Sequence, residues 1–217
     1  MALSIGVIGA TGMAGSAITK EALKQGLNVK AFVRNESKAR DMFGDQATYS
    51  VIDVFAIQKP DIADLDVVVD AFSPGHDPSK AQQHIELAEH LVDLVKGQDK
   101  PRLFFILGAA SLYIGSGHRL IERLEGLPNK EQFIATPRAQ SKEYEFLSNV
   151  KDVNWVAISP SSNFVPGDLA DYELGHNDLL RNDAGKSEVT SGTVGKAIVD
   201  EIVNPTHRNE RFTVVNK

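Results

Sequence analysis

The stretch Ile8-Gly9-Ala10-Thr11-Gly12-Met13-Ala14-Gly15-Ser16 decides the fold of this chain. Leu3–Ile8 before it is a short apolar run that reads as a strand. Met13–Lys24 after it carries Ala14, Ala17, Ile18 and Leu23 at helical spacing, and Gly26 is a stop signal. The chain therefore passes from strand to helix through glycines at 9, 12 and 15. In a dinucleotide fingerprint the first glycine allows the tight turn. The second lets backbone approach a pyrophosphate, and the third lets helix pack closely on strand. Free N–H groups and the positive end of the following helix favour the phosphates. A glycine triplet alone is weak evidence; strand and helix on either side give it weight against a plain βα turn.

Moving outward, apolar runs alternate with amphipathic segments. Strands are expected at Asn28–Val33, Thr48–Ile52, Val67–Phe72, Arg102–Leu107, Trp155–Ile158 and Phe212–Val215. Helices are expected at Glu36–Phe43, Ser79–Lys96 (capped by Ser79), Ala139–Ser148 and Val194–Val203. The alternation predicts an α/β, Rossmann-like, doubly wound and mostly parallel sheet with helices on both faces. No internal repeat or linker interrupts it, so residues 1–217 read as a single domain. Segments 108–136 and 159–192 are long, glycine- and proline-punctuated and weakly periodic, which marks them as substrate-side loops. Both follow strands, at the edge where open α/β sheets bind ligands.

The strand ends supply further candidates. Val33-Arg34-Asn35 closes the second strand without the carboxylate that selects a ribose 2′-hydroxyl. Arg34 is suited to a 2′-phosphate, so NADP(H) is expected in preference to NAD(H); the alternative is a solvated surface arginine. Asp53, before Val54, is either an acceptor for the adenine amino group or a helix N-cap. Ala71-Phe72-Ser73 is expected to lie along the nicotinamide-side ribose.

Composition narrows the classes. The chain has 217 residues, 42% hydrophobic and 24% charged, with a formal net charge of −6. It has no cysteine, which excludes disulfides, a cysteine nucleophile and thiolate metal ligands. No Lys/Arg block suggests a nucleic-acid or membrane surface. Ala2–Ala10 reads as a buried strand rather than a leader, so a cytoplasmic protein is expected, as monomer or homodimer. The histidines at 76, 84, 90, 118, 176 and 207 form neither HxxxH nor HExxH, so no metal site is expected. His84 and His90 fall off the apolar face of their helix and read as surface residues. Asp61, Asp64, Asp66 and Asp70 lack the glycine and glutamate of a calcium loop and are expected to flank the fourth strand.

With GATGMAGS, VRN, IDV and AFSPG in place, the chain resembles the atypical short-chain dehydrogenase/reductase superfamily. Within it, the NmrA-like branch holding proteins assigned as NADH-flavin reductases and biliverdin reductase B is most similar. NWVAISPSSNFVPGD, GKSEVTSGTVGKAIVDEI and RFTVVN extend the resemblance over essentially the whole chain. One departure is informative. Tyr144 is followed four places on by Ser148, and Tyr113 by Gly117, so the superfamily's YxxxK pair is missing. Lysine-assisted proton transfer from tyrosine to a carbonyl therefore has no support in the sequence.

The resemblance implies hydride transfer from NADPH to a flavin, quinone or similar planar acceptor, with solvent supplying the proton. It also admits a non-catalytic NADP(H)-binding redox sensor, as among some NmrA-like proteins. Ser111 stands about where the superfamily places its catalytic serine, though a loop serine often satisfies local backbone. Tyr113 is placed to stack on a flat substrate or to pack its loop. Lys142 either reaches the cofactor ribose or is a solvated helix lysine. In relatives the stretch Ser159–Phe164 borders the nicotinamide, so its backbone, including Pro160, and Ser161 or Asn163 are candidate contacts; the alternative is a proline-stiffened turn. Phe164 is suited either to wall an aromatic substrate or to fill the core.

Overall fold

The computed structural model describes residues 2–217 other than 76 and 116, so His76 lies outside the described residues. Eight strands form the main sheet: β1 (Ser4–Ile8), β2 (Asn28–Val33), β3 (Thr48–Val51), β4 (Val67–Asp70), β5 (Arg102–Ile106), β6 (Trp155–Pro160), β8 (Tyr172–Gly175) and β10 (Glu210–Asn216). Their order is β3-β2-β1-β4-β5-β6-β10-β8. Every pairing is parallel except that of β10 with the edge strand β8. A separate parallel pair joins β7 (Asn163–Val165) to β9 (Glu188–Thr190). The expected Rossmann-like architecture is present.

Buried strands of a parallel sheet are apolar on both faces, and here the alternation assigns each face its helices. Val7, Val69, Phe104 and Phe212 face α1 (Met13–Lys24) and α7 (Ser191–Val203), whose Ile18 and Ile198 meet them. Val68, Phe105 and Trp155 face α4 (Gln83–Val95) and α6 (Ala135–Asn149), through residues such as Leu91 and Leu147. Helices α1 and α7 approach closely because Gly195 has no side chain: a Cβ there would lie 2.9 Å from the Ala17 carbonyl carbon.

Several boundaries differ from the sequence reading. The fourth strand ends at Asp70 because the Asp70 side chain accepts the Phe72 N–H at 2.9 Å and turns the chain. Ser79 does not cap α4; it lies in a 3₁₀ turn, Pro78–Lys80, that Asp77 caps, and the helix begins at Gln83. Helix α6 begins at Ala135, so Pro137 sits in its first turn, where a missing N–H costs nothing. His84 is buried, 7% exposed, because the helix stripe is wide enough to include it. His90 is half-buried and hydrogen-bonds the Ile57 carbonyl at 2.8 Å. The two long segments have structure of their own: α5 (Leu120–Glu125) in the first, β7 to β9 in the second. The short α2 (Glu36–Phe43) and α3 (Lys59–Ile62) complete the helices of the described residues.

Candidate functional site

Strand order reverses beside β1, with β2 on one side and β4 on the other, and a crevice at such a point is where open α/β sheets take ligands. The glycine loop occupies it. Gly9 has φ +71°, a left-handed conformation that glycine adopts freely, and a Cβ there would stand 2.6 Å from the Ala71 carbonyl oxygen. Gly15 is closed off by Gly9 itself, whose carbonyl oxygen would lie 2.2 Å from a Cβ. The Gly12 N–H donates to the Gly9 carbonyl at 2.9 Å, which fixes the turn. Gly12 is the N-cap of α1 and no side chain caps that helix. The first backbone N–H groups of α1 thus point out of an exposed glycine turn, the usual donor set for a phosphate. Ala10 is buried beneath, Thr11 is half-buried and Met13 is 39% exposed at the rim.

The neighbouring strand ends differ in what they leave free. Arg34 is exposed at the end of β2. Asn35 caps α2, accepting the Lys38 N–H at 3.0 Å. Asp53 accepts the Phe55 N–H at 2.9 Å and so caps the short turn Val54–Ala56. Phe72 packs edge-on against Phe55 at 5.9 Å, and exposed Ser73 accepts the Gly75 N–H at 3.3 Å.

Together these are a strand, a cradle with no Cβ in it, an uncapped helix start and an exposed arginine where a second strand ends. A family model described as NAD(P)H-binding matches residues 9–205. The chain belongs to that family. YwnB of Bacillus subtilis is similar to it, 34% identical with 99% of each chain covered. A solved protein from Lactobacillus casei is 35% identical with a TM-score of 0.93 over 99% of each chain. A "putative NADH-flavin reductase" from Streptococcus pneumoniae is 29% identical with a TM-score of 0.88, over 99% of this chain and all of the other.

The residues present fit the nicotinamide cofactor of an NAD(P)H-binding protein. Any side chain at Gly9 or Gly15 would collide with backbone, and a Cβ on Gly12 would stand 3.2 Å from the Gly9 carbonyl oxygen. The N–H groups of Met13 and Ala14, next after the Gly12 turn, would hold the pyrophosphate, and Ala71 and Phe72, whose backbone lies against Gly9, would border the seat.

Past β5 lies the other half of the carboxyl edge. Ser111 is 1% exposed and its Oγ accepts a bond of 2.6 Å from Arg211 Nη1. Ser161 is 4% exposed and its hydroxyl donates to the Val214 carbonyl at 2.8 Å, so its side chain braces β10. Pro160 is buried opposite Val214. Lys142 is exposed, while its neighbours Ser141 and Glu143 are buried. The half-buried Tyr113 is held by backbone bonds to Asn177 and Leu179 at 2.8 Å each. The Asn163 amide donates to Glu188, and half-buried Phe164 packs on the core of the α1 side.

Three residues were not singled out by sequence. Arg211 is 2% exposed, and a charged residue directly before the mostly apolar run Phe212–Val215 was the available signal. Asn177 joins it from the segment after β8, for which no local signal exists. Gln140 lies over Gly108 at the end of β5; its Oε1 stands 2.3 Å from where a Cβ would be.

Burial sets the ionisation of this layer. Asp70 is pushed up to about 7 by burial, against the opposing bond from the Phe72 N–H. Glu143 is raised well above the carboxylate range by burial and then by the charge of Asp70. His84 falls to about 4 through burial and is neutral at pH 7. Arg211 drops to about 10, chiefly through burial, and remains a cation.

Proposed function

We propose that the protein is an NAD(P)H-dependent oxidoreductase that passes a hydride to a flavin, quinone or similar planar acceptor, with NADPH preferred over NADH. The observation that carries this reading is the cradle formed by Gly9, Gly12 and Gly15 at the switch point, with exposed Arg34 at the end of the adjoining strand. Reduced nicotinamide supplies the hydride; the protein supplies seat, orientation and field. Membership of the NAD(P)H-binding family and the likeness to the S. pneumoniae protein support it. The NmrA-like branch is the subgroup that the missing YxxxK pair favours.

The acceptor follows from what the site lacks. Neither Tyr113 nor Tyr144 has a lysine four residues on, and Lys142 faces solvent. A quinone or flavin takes its proton from water after the hydride arrives, so it needs no tyrosine–lysine pair. Steady-state oxidation of NADPH in the presence of FMN, riboflavin and menadione tests the proposal. Turnover with at least one of these is expected. Tight NADPH binding without turnover would instead favour a cofactor-sensing protein with a macromolecular partner, which cofactor-dependent pull-down would reveal.

A further inference from the structure

Arg211 shares its face of β10 with Thr213, opposite Phe212 and Val214, so it points to the α6 side of the sheet. Its register partner is Ala157, which pairs with Phe105, which pairs with Asp70. The guanidinium is thus level with the carboxyl ends of β4 and β5. Its donors are spent on neutral groups. Nε and Nη2 donate to Asn177 Oδ1 at 3.2 and 2.9 Å. Nη1 donates to Ser111 Oγ at 2.6 Å and Ser159 Oγ at 3.5 Å, and Nη2 to the Ser111 carbonyl at 3.3 Å.

Aromatic rings complete the surroundings. The guanidinium carbon lies 3.8 Å from the Tyr144 ring centroid. On the outer side, Arg119 lies 6.0 Å from the same ring and 5.5 Å from that of Tyr113. Arg119 has a carboxylate, Glu145 at 3.4 Å, whereas the hydrogen-bond partners of Arg211 among the described residues are all neutral. Buried charges are normally paired. Neutral oxygens and a ring face orient this one without cancelling it, so a net positive charge stands behind the stack.

The location matches a division of labour along the sheet. The glycine loop sits over β1 and β4, and this stack sits over β5, β6 and β10, next along the same edge. Tyr113, Arg119 and Tyr144 are half-buried and present part of their surface outward. We propose that Tyr113, Arg119 and Tyr144, backed by Arg211, form the acceptor seat, and that this seat selects a flat ring that carries or gains negative charge. The proposal rests on the reductase reading given above and names the chemistry of its acceptor.

The reason is electrostatic. A quinone-type ring that takes a hydride from reduced nicotinamide gains two electrons and one negative charge, and water later supplies the neutralising proton. A fixed cation in a poorly solvated layer favours that charge more than the same cation in water. Tyrosine faces and guanidinium planes supply the stacking.

The test compares two rings of the same size: 2-hydroxy-1,4-naphthoquinone, an anion at neutral pH, and 2-methyl-1,4-naphthoquinone, which is neutral. Each is titrated onto the full chain saturated with NADP⁺, with no reductant present. The wild type is expected to bind the anion about tenfold more tightly, a modest difference in free energy. Arg211→Met is expected to abolish that preference, and Tyr144→Leu to weaken both rings. Should Arg211→Met fail to fold by circular dichroism, Arg119→Gln, at a half-buried position, is expected to cut the preference about threefold. Equal affinity of the wild type for the two rings overturns the proposal. So does a preference untouched by removal of either cation. The titration needs no turnover, so a failure to oxidise NADPH would count against the reductase reading alone.

Discussion

The carbonyl oxygen of Gly9 lies 2.2 Å from the point where a Cβ on Gly15 would stand. The Gly9 carbonyl carbon and Ala10 Cα would be 2.8 and 2.9 Å away, and none of these is a flexible side-chain end. Gly15→Ala must therefore push the loop off the helix. A destabilisation of about 1–3 kcal/mol is expected in urea unfolding, the usual cost of overpacking. NADPH affinity should fall more than tenfold, because the Gly12 turn moves with the loop. Near-wild-type affinity would mean that the loop is not the pyrophosphate seat.

The proposed preference for NADPH rests on Arg34. It is exposed at the end of β2, where a 2′-phosphate would stand, and the adjoining Asn35 is committed to capping α2. Arg34→Ala is expected to raise the Kd for NADPH about 10- to 100-fold, as loss of a charge-assisted bond does. The Kd for NADH should change less than twofold. Equal losses for both cofactors would remove Arg34 as a phosphate ligand.

Asp70 and its neighbours make stability depend on pH. The folded pKa of Asp70, about 7, lies above the ordinary 3.8, so between those values the folded state binds the extra proton. Its contribution is complete below pH 3.8 and is lost as pH rises towards 7, on the order of a few kcal/mol. Glu143 works in the same direction. His84, lowered to about 4, works oppositely: it costs stability below that pH and ceases to by pH 6.5. Asp70→Asn keeps an acceptor for the Phe72 N–H. It should raise Tm at pH 8 while leaving Tm at pH 4 nearly unchanged. A Tm difference from wild type that is the same at both values would contradict this reading.

At the opposite edge of the sheet, Arg102 Nη2 and Glu201 Oε1 pair at 2.8 Å, with side chains 9% and 5% exposed. Burial opposes ionisation of Glu201, but bonds from Arg102, His207 and Thr206 outweigh it and hold its pKa down at about 2. Its contribution is present above pH 4.5 and lost as pH falls towards 2. Arg102→Met leaves that carboxylate without its buried partner and should cost about 3–5 kcal/mol in urea unfolding. A loss below 1 kcal/mol would show that Thr206 and His207 suffice.

The sequence made the sheet legible because each strand to residue 106 ends at or just before a glycine, a polar residue or a turn, and α1, α4 and α7 carry broad apolar stripes. Ile8–Ser16, with the strand before it and the helix after it, marked the glycine turn between β1 and α1, since glycine spacing is a local property. Boundaries set by side-chain bonds were less visible: the Asp70–Phe72 bond that ends β4, and the Asp77 cap that displaces Ser79. His84 is buried although the stripe leaves it at the margin, because a helical stripe gives direction, not width. The second half of the carboxyl edge was least legible. Ser111 and Arg211 lie 100 residues apart and Arg211 and Asn177 lie 34 apart, so only the folded sheet joins them. Lys142 is exposed on α6 between buried Ser141 and Glu143.

A crystal structure of the chain grown with NADP⁺ tests the central claim most directly. The pyrophosphate is expected within hydrogen-bond distance of the backbone N–H groups at the start of α1, with the 2′-phosphate against Arg34 and the nicotinamide beside Ala71–Ser73. A dinucleotide bound away from Gly9, Gly12 and Gly15, or none at saturating concentration, would contradict it.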